Sequence, residues 1–291
     1  MNTACLCIFG EVLFDHFPDG KSVLGGAPFN VAWHLQAFAQ PCCFHSRVGT
    51  DAEGDQIKAA MQQWGMNTSY LQTDSERSTG KVNVIIRDNE PTYDIVQHCA
   101  YDAIEPVSTK MNCKLLYHGS LALREARSKA ALESLKEQRP GIVFVDVNLR
   151  SPWWQADAVG QMLQGADWVK LNTDELEQLS SSDLYDTRAG YDFISRYRLT
   201  GLVVTHGARG AEILLENGDR YEVEPGMAAT VIDTVGAGDA LTSIIILGLS
   251  LEWPLQQTLE RAQQFASAVV GQRGATINDP AFYQPFINEW L

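Results

Sequence analysis

The chain reads as an α/β protein: a three-layer α/β/α core on a mostly parallel sheet, with a small β-sheet lid beside it. Three observations predict this. Short apolar runs alternate with amphipathic stretches, as ACLCIFG (4–10) precedes FNVAWHLQAFA (29–39). The runs GIVFVDVN, WVKLN and GLVVTHG are apolar rather than alternating, the pattern of parallel strands covered on both faces. Two segments, about 11–24 and 79–100, break the rhythm and read as short strands inserted between β-α units.

In chain order, the strand at 4–10 and the helix at 29–39 are followed by CCFHSRVG, a strand ending at Gly49. DQIKAAMQQWG is a helix closed by Gly65, a C-terminal cap signal. The second inserted segment predicts a hairpin: Val82, Val84 and Ile86, a turn at Asp88-Asn89-Glu90-Pro91, then Tyr93 and Ile95. KLLYHGS, a charged helix at 126–138, GIVFVDVN and a helix at 154–163 come next. WVKLN, a helix at 174–179, then GLVVTHG and GAEILLE complete the middle, and an apolar helix follows Gly238. No repeat or low-complexity linker divides the chain, so residues 1–291 are expected to form one domain.

Composition narrows the function classes. The 291 residues are 45% hydrophobic and 20% charged, which excludes disorder, collagen and coiled coil. The formal net charge of −14 argues against nucleic-acid binding, and it obliges any anionic substrate to be held by local donors. The longest apolar run, 241–251, is too short for a membrane span of about 20 residues. The N-terminal stretch lacks a basic region and soon reaches Glu11 and Asp15, so it is read as a first strand rather than a signal peptide. The six cysteines form no C-x-x-C pair and are expected to be free thiols in a cytoplasmic protein.

The chemistry concentrates in IDTVGAGDALTSIIILG (232–248). Gly236 and Gly238 at the start of an apolar helix leave backbone N–H groups uncovered at the positive end of the helix dipole. Such a nest suits the negative charge that develops on a transferred phosphoryl group. Asp239, in the first turn, is ionised near neutral pH and suits a general base. The structural alternative is a dipole-favouring aspartate after a glycine-closed loop. The P-loop pattern fails because Asp15 stands where its first glycine belongs, and G-x-G-x-x-G fails at Leu241.

DTVGAGDA resembles the C-terminal signature of the ribokinase-like (PfkB) sugar kinases, and LGGAPFNVAWHL resembles their N-terminal Gly-Gly signature. RVGTDAEGDQI, KLNTDEL and VVTHGARGA are similar to three further family segments, in the family's order along nearly the whole chain. The resemblance implies a ribokinase-like fold and ATP-dependent phosphorylation of a sugar hydroxyl. Asp239 would then be the base, and Gly236, Ala237 and Gly238 the anion hole. Asp15 and Asn30 would hold sugar hydroxyls, with Gly25 and Gly26 allowing close approach. Asn172 and Glu175 would organise Mg2+ near the phosphates, Glu175 through water, while Thr205, Gly207 and Gly210 line the nucleotide groove. Asp233, the Val235 carbonyl and the loop near Gly274 fall where many relatives bind a monovalent cation such as K+.

The D-x-N-L-R stretch ending at Arg150, and the run at 90–104, look most like bacterial fructokinases, with Arg150 a sugar-site candidate or a structural ion pair. D-fructose is the favoured acceptor. Other sugars, 2-keto-3-deoxygluconate or a nucleoside remain alternatives, the last using Tyr93 and Tyr101 as an aromatic slot. The non-catalytic rival is a sugar or nucleotide sensor. Phe29, before Asn30, either fills the core or narrows the pocket. His98, His118, Trp153, Trp154 and the Trp33, Phe38, Trp64 stripe are read as packing or surface residues. The apolar lid residues Val82, Val84 and Ile86 favour a homodimer through the lid.

Overall fold

The computed structural model describes residues 5–87, 90–180, 186–225 and 231–291. The strands are β1 (Cys5–Phe9), β2 (Leu13–His16), β3 (Ser22–Gly25), β4 (Cys42–Gly49), β5 (Leu71–Asp74), β6 (Gly80–Arg87) and β7 (Glu90–Ile95). They continue with β8 (Cys113–His118), β9 (Val143–Asp146), β10 (Trp168–Asn172), β11 (Gly201–Thr205), β12 (Ala211–Leu215) and β13 (Arg220–Val223). The helices are α1 (Ala27–Ala37), α2 (Ala52–Gln63), α3 (Ala126–Lys136), α4 (Ala156–Leu163), α5 (Thr173–Ser180), α6 (Thr187–Tyr197), α7 (Ala237–Leu251), α8 (Leu255–Val270) and α9 (Pro280–Trp290).

Nine strands form the main sheet in the order β13-β12-β11-β10-β9-β8-β1-β4-β5. Pairing is parallel from β5 to β11 and antiparallel at β11-β12-β13. Successive side chains serve opposite faces. Leu6 and Ile8 pack with α1, α7, α8 and α9, while Cys7 and Phe9 face the layer of α3 to α6. This double burial is why the strands read as continuous apolar runs.

Local signals set most helix starts. Asp51 accepts the Gly54 N–H at 2.9 Å and caps α2, which therefore begins ahead of the DQIKAAMQQWG run. Asp186 caps α6 by accepting the Ala189 N–H at 2.7 Å. Asp192 lies on α6 beside Arg188. β5, β13, α8 and α9 carried no clear sequence signal.

The second sheet has the order β3-β2-β6-β7 and draws on both inserted segments. Asp88 and Asn89 of the expected hairpin turn lie outside the described residues. The apolar lid residues are covered more fully than the sequence suggests. Val82 and Val84 are 5% and 4% exposed, packed inside the same chain, and so present no apolar surface to a partner. The outward row includes Ile85, whose side chain is 39% exposed. Phe29 is fully buried against Trp33 and Phe44, so it fills the core rather than narrowing a pocket. The cysteines are free thiols, as expected. No described helix is long and apolar enough to cross a membrane.

Candidate active site

A cavity of about 630 Å³ opens between the carboxyl ends of the main-sheet strands and the small sheet. Open α/β sheets place ligands at this edge. Four chain segments converge there: the turn after β1 with Glu11, β2 with Asp15, the loop after β9 with Arg150, and the start of α7 with Asp239. Gly26 sits at φ 109°, and a side chain there would press on the Glu11 carbonyl at 2.7 Å, so glycine lets α1 begin against the β1 turn.

Asn30, on the first turn of α1, donates from Nδ2 to Asp239 Oδ2 at 2.7 Å. Its Oδ1 is buried and meets no partner among the described residues. A methyl placed on Gly25 would lie 4.0 Å from this oxygen and 3.6 Å from Asp15 Oδ2. The glycine therefore keeps open a space into which two acceptors point, suited to ligand hydroxyls.

Three carboxyls share the cavity, and each is held above its ordinary range by loss of hydration. Glu11 is pushed up to about 7, Asp15 to about 6 and Asp239 to about 6. Asp239 remains partly reachable through the cavity, yet its carboxylate is packed deeply enough for burial to dominate. Its hydrogen bond from Asn30, Lys170 and Arg150 pull the other way. Arg150 favours the ionised forms of all three acids and forms no ion pair among the described residues, which disfavours the structural-pair reading.

Gly236 has φ 82°, and a side chain there would run into Ala275, so the turn into α7 requires glycine. The first-turn N–H groups of α7 have no partners inside the helix. Ala237 is partly engaged, donating to the Thr234 carbonyl at 3.4 Å, which leaves Gly236 and Gly238 the freer donors. A cation that the sequence reading missed stands beside this turn. A methyl on Gly238 would lie 3.2 Å from Lys170 Nζ. Lys170 bridges both Asp146 oxygens at 3.1 Å, and Thr242 donates to Asp146 Oδ2 at 3.1 Å. Burial works against the Lys170 charge, but Asp146, Glu175 and Asp239 outweigh it and raise the ammonium above the usual lysine value. The KLN of KLNTDEL alone gave no sign of this, because only the register of β9 and β10 puts Lys170 opposite Asp146.

Asn172 and Glu175 form a reciprocal cap on α5. Asn172 Oδ1 accepts the Glu175 N–H at 2.8 Å, and Glu175 Oε2 accepts the Asn172 N–H at 2.9 Å. Glu175 Oε1 also accepts the Leu149 N–H at 2.7 Å, tying the cap to the Arg150 loop. Burial raises the Glu175 carboxyl, with Lys170 opposing. The N-x-x-E pattern thus has a structural role whatever else it does.

Asn172, Glu175, Thr205, Gly207, Gly210 and Asp233 do not line the cavity. Asn172 and Thr205 are register partners at the ends of β10 and β11, with Gly207 and Gly210 in the following connection. Asp233 accepts N–H groups from Val235 at 3.0 Å and Gly274 at 3.1 Å, joining the loops on either side of α7 and α8. His98 is exposed and paired with Glu125 at 2.6 Å, and His118 is buried, so neither lines the cavity. Tyr101 is fully buried, which leaves Tyr93 as the aromatic at the cavity wall.

The comparisons agree with this geometry. Residues 9–281 match the model of the pfkB family carbohydrate kinases. A fructokinase of Klebsiella pneumoniae is 30% identical over 261 residues, spanning 84% of this chain and 83% of that protein. The aminoimidazole riboside kinase of Salmonella typhimurium is 25% identical, covering 92% of this chain and 89% of its own. Among solved structures, a double mutant of the Vibrio cholerae O395 fructokinase, with fructose, ADP and potassium bound, superposes with a TM-score of 0.80. It is 26% identical and covers 97% of this chain and 98% of its own. The chain belongs to the pfkB family of carbohydrate kinases.

Proposed function

We propose that this chain is a cytoplasmic kinase that phosphorylates the primary hydroxyl of D-fructose from ATP, giving fructose 6-phosphate. The observation that carries the reading is the pairing of Asp239 with the open first turn of α7 beside Lys170. A base and an anion nest then lie within one helical turn of each other. Fructokinases among the relatives support the choice of sugar. Burial of Tyr101 removes half of the aromatic slot that a nucleoside would use.

In the proposed reaction, Asp15 and the free Asn30 Oδ1 accept sugar hydroxyls, and Arg150 balances the acidic wall. Asn30 fixes the Asp239 carboxylate so that Oδ1 faces the attacking hydroxyl and takes its proton. The Gly236 and Gly238 N–H groups and the Lys170 ammonium stabilise charge on the transferring phosphoryl. Thr205, Gly207 and Gly210 line the nucleotide side. The small sheet acts as a lid that keeps water from the phosphoryl group.

The donor set fits a Mg2+ carried in on the nucleotide. Among the described residues no three His, Cys, Asp or Glu side chains gather into a metal cage, and both Glu175 oxygens already accept backbone N–H groups. Glu175 and Asn172 would therefore reach the ion through water, and the ion would neutralise charge on the phosphates. Asp233, already bound to two loop N–H groups, and the Val235 carbonyl would hold a monovalent cation such as K+ beside the anion nest.

The test is ADP release from MgATP with a panel of acceptors, fructose first. Release with fructose that disappears in Asp239→Asn supports the reading. Release with another sugar keeps the mechanism and overturns the acceptor. No release with any acceptor overturns catalysis and favours a sensor.

A further inference from the structure

A second cavity, of about 540 Å³, lies between α3 and α4 on the far face of the sheet from α1 and α7. Leu121 and Arg150 line both cavities, so the two are neighbours. The half-buried Trp153 and Trp154 pack against the core, as expected, and also form part of its wall.

The strongest feature is Arg124. Its side chain is only 7% exposed. Nε and Nη2 are held by Asp102 at 2.6 and 2.7 Å, and the guanidinium lies 5.3 Å from the Trp153 ring. Its Nη1 is buried and meets no acceptor among the described residues. A guanidinium nitrogen left this way costs free energy unless something supplies an acceptor. Lys129 and Lys136, two helical turns apart on α3, line the same cavity. Glu133 between them is within 3.4 Å of Lys136, and Lys129 forms no ion pair among the described residues. Ser120, Gln155, Gln161 and Gln164 supply neutral hydrogen-bonding groups around the rest of the wall.

We infer that this cavity is a binding site for a phosphorylated sugar, separate from the acceptor site. The phosphate sits against the two lysines, with the Arg124 guanidinium in the wall behind them. The apolar face of the sugar ring packs on an indole, and the glutamines and Ser120 meet its hydroxyls. Local cations are needed because the whole chain carries a net charge of −14. The volume suits a ligand of this size.

Calorimetric titration of the full chain with fructose 6-phosphate tests this, with inorganic phosphate as the comparison probe. Binding is expected to persist in Asp15→Ala, which damages the acceptor cavity. It should weaken at least tenfold in Lys129→Ala/Lys136→Ala and in Trp154→Ala. Kinase turnover without added sugar phosphate should be unchanged in the lysine variant. The readout is binding, so it stands whichever acceptor the kinase uses. The proposal is overturned if Asp15→Ala abolishes binding while the lysine variant keeps it, if inorganic phosphate binds as tightly, or if no heat is seen.

Discussion

Asn30 and Asp239, 209 residues apart in the chain, are joined by a 2.7 Å hydrogen bond that fixes one oxygen of the candidate base and leaves the other to the cavity. Asp239→Asn should lower turnover at least a thousandfold while fructose binding, followed by calorimetry, changes only a few-fold. Comparable loss of both would assign the residue a structural role. Because burial holds Asp239 at about 6, kcat/KM should fall on the acid side with a midpoint near pH 6. A midpoint near 4 in the pH profile would contradict a buried base.

The crowded acids bear on stability in a defined direction. Glu11, Asp15 and Asp239 all have raised folded-state values, about 7, 6 and 6. Their contribution is therefore fully present below the unfolded range near 4 and is lost as pH rises through 6 to 7. Glu11→Gln should retain it at pH 8, raising Tm of the unliganded protein by about 2–4 °C, with no gain at pH 4. Thermal scans at the two pH values check the sign, and an equal shift at both would refute it.

Lys170 and Asp146 form a buried pair whose halves cannot be removed independently. Lys170→Met should cost about 3–5 kcal/mol in denaturant unfolding, because Asp146 is left charged and unpaired. The double variant with Asp146→Asn should recover most of that stability but not turnover. Recovery of both would mean that the ammonium has no part in phosphoryl transfer.

The α5 cap separates structure from metal use. Asn172→Ala should destabilise by about 1 kcal/mol. Glu175→Gln keeps one acceptor oxygen and should be milder in unfolding, yet raise the Mg2+ concentration needed for half-maximal rate severalfold. A Mg2+ dependence like that of the unaltered protein would confine Glu175 to the cap.

Much of the fold was legible because strands buried on both faces and helices buried on one leave different periodicities. Asp239, Asn30 and the glycines were legible because backbone turns and close approaches restrict residue choice. Lys170 was not, because a lysine in an apolar strand reveals its role only once register puts Asp146 beside it. Glu11 likewise read as the start of an inserted segment until Gly26 brought the α1 turn against it. The hairpin misled about which residues are exposed, since alternation marks an apolar face without saying whether the same chain covers it. Val82 and Val84 turn theirs inward.

The 209-residue span of the Asn30–Asp239 bond also has a consequence during synthesis. At about 5–20 residues per second, roughly 10–40 s separate the emergence of the two partners from the ribosome. Over that interval α1 carries Phe29, Trp33 and Leu35 without the α7 surface they finally bury. The nascent chain therefore exposes an apolar stripe until late in translation, a target for chaperones. The proposed base cannot take its place beside Asn30 until Asp239 has been made.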